Sequence, residues 1–212
     1  MKQAIFFDLD GTLWDAIDNI KQSWNETMIR LNEPYRFTYD VIKSTMGLTP
    51  KETLPITFPG ANEKHAMFLF QECIKDEIKY LAKHPGILYK NEEEVLTELN
   101  KKYPLYVVSN SDCGYIENYI SACHMEKYFK GHLCAGDTKL DKWQNIKLLK
   151  EKENIDDVIY VGDTLKDKNE SNKAGVKFIH ANYGFGIIEN DEYKINSLDE
   201  LVGLVETLFN NY

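Results

Sequence analysis

Four aspartates placed after two short apolar runs are the residues of this sequence best suited to chemistry. Asp8 and Asp10 follow Ala4-Ile5-Phe6-Phe7 and precede Gly11-Thr12-Leu13. Asp163 and Asp167 stand in Gly162-Asp163-Thr164-Leu165-Lys166-Asp167, directly after Val158-Ile159-Tyr160-Val161. A short apolar run bounded by a turn reads as a buried strand. Side chains at i and i+2 of a strand point to the same side, which puts Asp8 and Asp10 close enough to share a partner. Like charges so placed repel unless one takes a proton or a cation intervenes. Four carboxylates packed together with no His or Cys nearby ask for a divalent cation, and oxygen-only ligation favours Mg²⁺. Such a cation binds phosphate readily. Ser109, in Ser109-Asn110 after Leu105-Tyr106-Val107-Val108, adds a hydroxyl donor, and Lys142, at the start of a predicted helix, adds a positive charge. A carboxylate nucleophile, a second acid, a metal and phosphate donors together describe a phosphoryl-transfer site.

These groups converge only if the chain folds as a parallel sheet. Predicted strands at residues 4–7, 105–108, 131–135, 158–161 and 177–181 alternate with predicted helices over 92–102, 112–121, 140–153, 166–174 and 197–208. Asp112 is expected to cap the second of these helices, Gly175 to stop the fourth, and Ser197 with Glu200 to form a capping box on the last. Such alternation implies a parallel sheet with helices on both faces, and ligands in such sheets bind beyond the carboxyl ends of the strands. Asp8, Ser109 and Asp163 all stand at such ends. Between the first strand and the rest lies a block with helical periodicity. Ile17, Ile20, Trp24, Met28 and Leu31 are spaced 3, 4, 4, 3, as are Met67, Phe70, Ile74, Ile78 and Leu81. A short helix over 39–46 and a start at Thr49-Pro50 lie between them. The expected organisation is an α/β core of residues 1–14 and 84–212 with a helical insert of residues 15–83 that holds no strand.

Composition narrows the function classes. The net charge of -9 over 212 residues argues against nucleic acid and anionic membrane as partners. No apolar run approaches the ~20 residues that span a bilayer. The charged residue and strand at the start are read as leaving no room for a signal peptide. Cys73, Cys113, Cys123 and Cys134 show no paired spacing and read as reduced thiols, consistent with a cytoplasmic place. A structural zinc site is not expected, because the histidines are scattered as well.

Asp8-Leu9-Asp10-Gly11-Thr12, Ser109-Asn110, Lys142 and Gly162-Asp163-Thr164-Leu165-Lys166-Asp167 resemble, in order, the four motifs of the haloacid dehalogenase superfamily. The helical block is similar to the C1 cap of its subgroup I, and the pattern most resembles the phosphoglycolate-phosphatase-like members. The resemblance implies a Rossmann-like core with an inserted cap, and hydrolysis of a small phosphorylated metabolite with Mg²⁺. It implies that Asp8 is the nucleophile and forms an aspartyl-phosphate. Asp10 acts as acid and base and offers its backbone carbonyl to the metal. Thr12 supports the turn and is counted with the substrate-binding residues. Ser109 and Asn110 contact substrate, Lys142 bridges Asp8 and the phosphate, Asp163 binds the metal, and Asp167 assists there.

Other readings stand beside these. Family dehalogenases lack the second aspartate, so Asp10 disfavours that reaction. Phosphomutase relatives carry a histidine early in the cap and an arginine in the cap loop, where this chain aligns Ile20 and Thr45. A phosphomutase and a non-catalytic phosphometabolite-binding protein remain as alternatives. Asp167 could simply cap its helix. Trp14 and Trp24 are expected in the core. Thr49 and Lys51 could face substrate or solvent, and Tyr183-Gly184-Phe185-Gly186 could line the edge of the site or merely form a turn. The sequence does not speak to oligomeric state.

Overall fold

The structure is a computed structural model that describes residues 1–210, so the last two residues of the expected core lie outside the described residues. In chain order the elements are β1 (Gln3–Phe7), β2 (Trp14–Asp15), α1 (Ile17–Arg30), α2 (Tyr39–Lys43), α3 (Pro50–Thr57), α4 (Glu63–Leu81) and β3 (Ile87–Leu88). Then follow α5 (Glu92–Asn100), β4 (Leu105–Ser109), α6 (Tyr115–Ala122), β5 (Phe129–Cys134), α7 (Ala135–Thr138) and α8 (Lys142–Lys152). The chain continues through β6 (Asp157–Gly162), α9 (Leu165–Ala174), β7 (Lys177–Ala181), β8 (Lys194–Ile195), a 3₁₀ turn (Leu198–Glu200) and α10 (Leu201–Asn210).

Six strands form one parallel sheet in the order β5-β4-β1-β6-β7-β8. Strand β1 sits between β4 and β6, with Phe7 opposite both Val107 and Val161. A strand in that place is covered on both faces, which is why it reads as an unbroken apolar run and not as an alternation. Its side chains divide between two cores. Ile5 and Phe7 join the larger one, which the helical block also shares, while Ala4 and Phe6 pack with Tyr106, Val108, Tyr160 and residues of α8. The order of connection reverses at β1: the chain runs from β1 through β4 to β5 on one side and from β6 through β7 to β8 on the other, which opens a crevice at the carboxyl ends of β1 and β6.

Helices α1–α4 follow β2 and precede β3, and these two short strands pair antiparallel, Trp14 with Leu88 and Asp15 with Ile87. They close the neck of the helical block. Two-residue strands leave no periodic signal, so sequence reasoning found neither β2 and β3 nor β8. Helix α1 buries Ile17, Ile20, Trp24 and Met28 as its spacing predicts. Helix α4 departs from expectation. Its fully buried face runs through Ala66, Leu69, Phe70, Cys73, Glu77 and Leu81, and Met67, Ile74 and Ile78 are only partly buried. Thr49 starts α3 as expected, with the Glu52 carboxylate accepting from its N–H and hydroxyl, each at 2.7 Å. Two other expected caps are corrected. Gly114, at φ 85°, precedes α6, and Asp112 supplies only its backbone carbonyl to Tyr115 at 3.3 Å. Ser197 makes no side-chain cap bond, because a 3₁₀ turn intervenes and Glu200 accepts from the Asn196 N–H at 3.0 Å.

Candidate active site

The turn after β1 brings the first two acids into place. The Asp8 N–H still donates to Val161 on β6 at 2.8 Å, so its position is fixed by the sheet. The Leu9 carbonyl then accepts from the N–H groups of Thr12, Leu13 and Trp14, and the chain reverses over Gly11 at φ +77°. A Cβ at Gly11 would lie 2.2 Å from Asp163 Oδ2, so this position requires glycine both for its backbone angle and for space.

Lys142, the first residue of α8, is 1% exposed. Its Nζ lies 2.9 Å from Asp8 Oδ1 and 2.5 Å from Asp167 Oδ1. Burial alone would strip its proton, but the charges of Asp167 and Asp8 outweigh burial and hold its pKa well above the usual lysine range. Asp167 opens α9, and its other oxygen accepts from the Thr164 N–H at 3.0 Å and the Thr164 hydroxyl at 2.5 Å. Burial raises Asp167, but Lys142 and these hydrogen bonds win and leave it below the ordinary carboxylate value. It therefore caps its helix and anchors the lysine at once. Asp163 is fully buried. Phe185 N–H donates to its Oδ2 at 2.7 Å, while its Oδ1 has no partner among the described residues. Burial and the charges of Asp167 and Asp8 push Asp163 well up. Asp8 is pushed up to about 7 by burial and by Asp167, against the pull of Lys142.

Asp8, Asp163 and Asp167 each offer an oxygen, all within 4.8 Å of one another. Three carboxylates so close, one with an unpartnered buried oxygen and all with hard donors, fit a divalent cation of the Mg²⁺ type. The expectation of four packed carboxylates needs correction at Asp10. Its side chain turns toward Tyr115 and Trp14, whose hydroxyl and indole N–H donate to Oδ1 at 2.7 Å and 3.0 Å. Burial raises Asp10 to about 6, with these two donors pulling the other way. The two motif aspartates thus share no partner.

Asp8, Asp10, Ser109 and Asn110 open on one cavity of ≈ 90 Å³ between the sheet edge and the helical block. Ser109 is 4% exposed, and its Oγ accepts from Ser111 N–H at 3.3 Å. Asn110 donates from its amide to the Gly47 carbonyl at 3.0 Å, which ties the sheet edge to the loop between α2 and α3. Thr12 does not reach the cavity. It is fully buried, its hydroxyl has no partner among the described residues, and its carbonyl accepts from Tyr183 at 2.8 Å. Its side chain lies buried in the turn, apart from the residues that line the cavity. Across the cavity stand Ile20, Trp24, Thr45, Phe70 and Glu77. Trp24 is buried as expected, yet it also faces the cavity. Pro50 and Thr53 line it where Thr49 and Lys51 were considered. The Tyr183–Gly186 loop does border the site: it clasps Asp163 through Phe185, and a Cβ at Gly184 would lie 2.4 Å from Asp163 Cβ.

Sequence reasoning missed Tyr115, Trp14 and Glu77 as members of this site. Glu77 accepts from the Trp24 indole N–H and is pushed up to about 8, chiefly by burial. Its signal was present: a glutamate four residues after Cys73 and four before Leu81 stands on a buried stripe. Nothing in the sequence around Tyr115 or Trp14 marks them as partners of Asp10.

Comparison with known proteins gives the chain its family. Residues 5–181 match the family described as haloacid dehalogenase-like hydrolase. A phosphoglycolate phosphatase from Colwellia psychrerythraea is 23% identical, covering 89% of this chain and 88% of the relative. An N-acylneuraminate-9-phosphatase from Rattus norvegicus is 24% identical, covering 97% and 94%. Among solved structures, a haloacid dehalogenase-like hydrolase from Streptococcus pneumoniae superposes with a TM-score of 0.83 at 21% identity, covering 96% of this chain and 98% of that one.

Proposed function

This chain belongs to the haloacid dehalogenase-like hydrolases, and on that premise we propose that it is a Mg²⁺-dependent phosphatase of a small phosphorylated metabolite, working through an aspartyl-phosphate on Asp8. The observation that carries the reading is Asp8 itself: a carboxylate at the sheet edge, open to a cavity and paired at 2.9 Å with a buried lysine. An Asp8 oxygen attacks phosphorus while the bond from phosphorus to the leaving oxygen breaks. Asp10 gives its proton to that oxygen, then takes one from the water that attacks the phosphorus of the acyl phosphate. The phosphate departs and Asp8 is regenerated.

The two acids have different tasks and different surroundings. Asp8 faces carboxylates and a lysine, while Asp10 faces a phenol and an indole. Asp8 and Asp163, with the Asp10 carbonyl and Asp167 in support, would hold Mg²⁺, which would supply positive charge that favours the ionised form of Asp8 and offsets the charge of the phosphate. Lys142 holds Asp8 in place and offers its remaining donor capacity to a phosphate oxygen, and Ser109 offers a hydroxyl. The helical block is read as a cap over the cavity that excludes water and selects the leaving group. Ile20 and Thr45 both line the cavity, at the positions aligned with the histidine and arginine of mutase relatives, which supports water over a sugar hydroxyl as acceptor. The test is hydrolysis of p-nitrophenyl phosphate with Mg²⁺ and its loss in EDTA. Asp8→Asn is expected to abolish turnover, and robust turnover by that variant would refute the nucleophile.

A further inference from the structure

The lining of this cavity has an unusual balance of charge. It carries Glu77, Asp10 and Asp112, and among the described residues that line it there is no Lys, Arg or His. Lys142 does not alter this, since it is 1% exposed and engaged by Asp8 and Asp167. Glu77 stands out among these acids. It is 4% exposed, it projects from α4 among apolar neighbours, and the Trp24 indole is its one hydrogen-bond donor among the described residues. A carboxyl so placed keeps acceptor capacity toward the cavity. The remaining wall is largely aromatic and aliphatic, with Trp24, Phe70 and Tyr115.

We infer that Glu77 is the specificity-determining residue of this site, and that the leaving alcohol carries an ammonium group which Glu77 and the aromatic wall receive. The inference rests on the phosphatase reading above and names the substrate class for it. A carboxylate on the leaving group would meet a lining of acids with no Lys, Arg or His to offer it a counter-charge, which is costly. An ammonium draws the buried Glu77 carboxyl into its ionised form and pairs with it beside aromatic rings. It also relieves the repulsion of Asp10 and Asp112 that, after burial, holds the Glu77 carboxyl up at about 8. The two named relatives are called after phosphates of acids, and this wall is unsuited to such leaving groups.

Three two-carbon esters decide the matter, assayed with Mg²⁺ on the wild-type chain: O-phosphoethanolamine, ethyl phosphate and phosphoglycolate. The expected kcat/KM for phosphoethanolamine is about ten-fold or more above ethyl phosphate, with phosphoglycolate lowest. In Glu77→Gln, which keeps an oxygen for the Trp24 indole, the ratio of the first two is expected to fall to about one. Equal turnover of the first two esters by wild type, a preference for phosphoglycolate, or an unchanged ratio in Glu77→Gln overturns the inference. The ratio is internal to each protein and is insensitive to a loss of folded material. p-Nitrophenyl phosphate separates the two levels: if it is not hydrolysed, the phosphatase reading fails. Calorimetric binding of the same three esters then still decides the inference by their order of affinity.

Discussion

Replacing Lys142 with methionine removes the cation that the structure places among three buried carboxylates. Two charge-assisted contacts are lost, at 2.9 Å to Asp8 and 2.5 Å to Asp167. Breaking a buried pair while its partner stays ionised costs about 3–5 kcal/mol. The folded variant has a cheaper escape, which is to keep a proton on one carboxylate. In the wild type Asp167 lies below the ordinary value because Lys142 and Thr164 outweigh burial. Without the lysine, burial and the neighbouring acids raise it. The folded variant then holds a proton that the unfolded chain releases near pH 4, so its stability falls as pH rises, by about 1.4 kcal/mol per unit. The expected loss relative to wild type is thus about 1–2 kcal/mol at pH 5, growing to the full 3–5 kcal/mol by pH 8. Urea unfolding at both values, in EDTA, measures it. Turnover of p-nitrophenyl phosphate at neutral pH should drop at least about a hundred-fold, as when a preorganised charged donor is removed. A loss below about 1 kcal/mol that is equal at pH 5 and pH 8 would refute the reasoning.

Three further outcomes are expected. Glu77→Gln should gain stability on the wild type as pH rises from about 4.5 to about 8, because the folded wild type retains a proton on Glu77 that the unfolded chain has lost. Unfolding midpoints that stay parallel across that window count against it. Gly11→Ala combines a positive φ, worth about 1–2 kcal/mol, with a Cβ 2.2 Å from Asp163 Oδ2; unfolding should show a loss of at least about 2 kcal/mol and calorimetry a weaker Mg²⁺ affinity. Asn110→Ala removes the bond to Gly47, costs about 0.5–1.5 kcal/mol, and should quicken hydrogen exchange in the loop between α2 and α3; unaltered exchange there would show that the contact does not hold the loop.

The residues at the strand ends were legible because they depend on two robust rules. Short apolar runs bounded by glycine become buried strands, and open parallel sheets gather ligands at their carboxyl edge. Asp8, Ser109 and Asp163 come from the ends of β1, β4 and β6, and β1 lies between the other two. What depended on side-chain direction was less legible. Asp10 follows Asp8 by two residues, and strand geometry would have paired them, but the chain leaves extended conformation at Gly11 and the Asp10 carboxyl turns to Tyr115. Helix α4 carries two adjacent apolar stripes. Periodicity picked the one through Ile74 and Ile78, which is partly buried, and so passed over the stripe that contains Glu77. The failed box at Ser197 has a local cause: Glu200 had a closer backbone N–H to accept from, and the α-helix proper began at Leu201.

Trp14 shows why the acid and the helical block have to be understood together. Its backbone pairs with Leu88 in the neck, its indole N–H donates to Asp10, and its ring meets Tyr115 and Tyr119 edge-on at 5.6 Å and 5.4 Å. Tyr115 in turn donates to Asp10, and Asn118 on the same helix donates to the Ile78 carbonyl of α4 at 2.6 Å. Both hydrogen bonds that orient the Asp10 carboxyl therefore come from residues that are themselves packed against the neck or on a helix bonded to the block. Each is fully or nearly fully buried, so neither can shift without moving its neighbours. Among the described residues Asp8 has no such tie: its partners Lys142 and Val161 belong to the sheet and its own helices. Asp8, the proposed nucleophile, is thus fixed by the core, while the carboxyl of Asp10, the proposed acid, is oriented jointly by core and helical block. Under the proposed mechanism, a change in the seating of that block acts on proton transfer before it acts on attack at phosphorus.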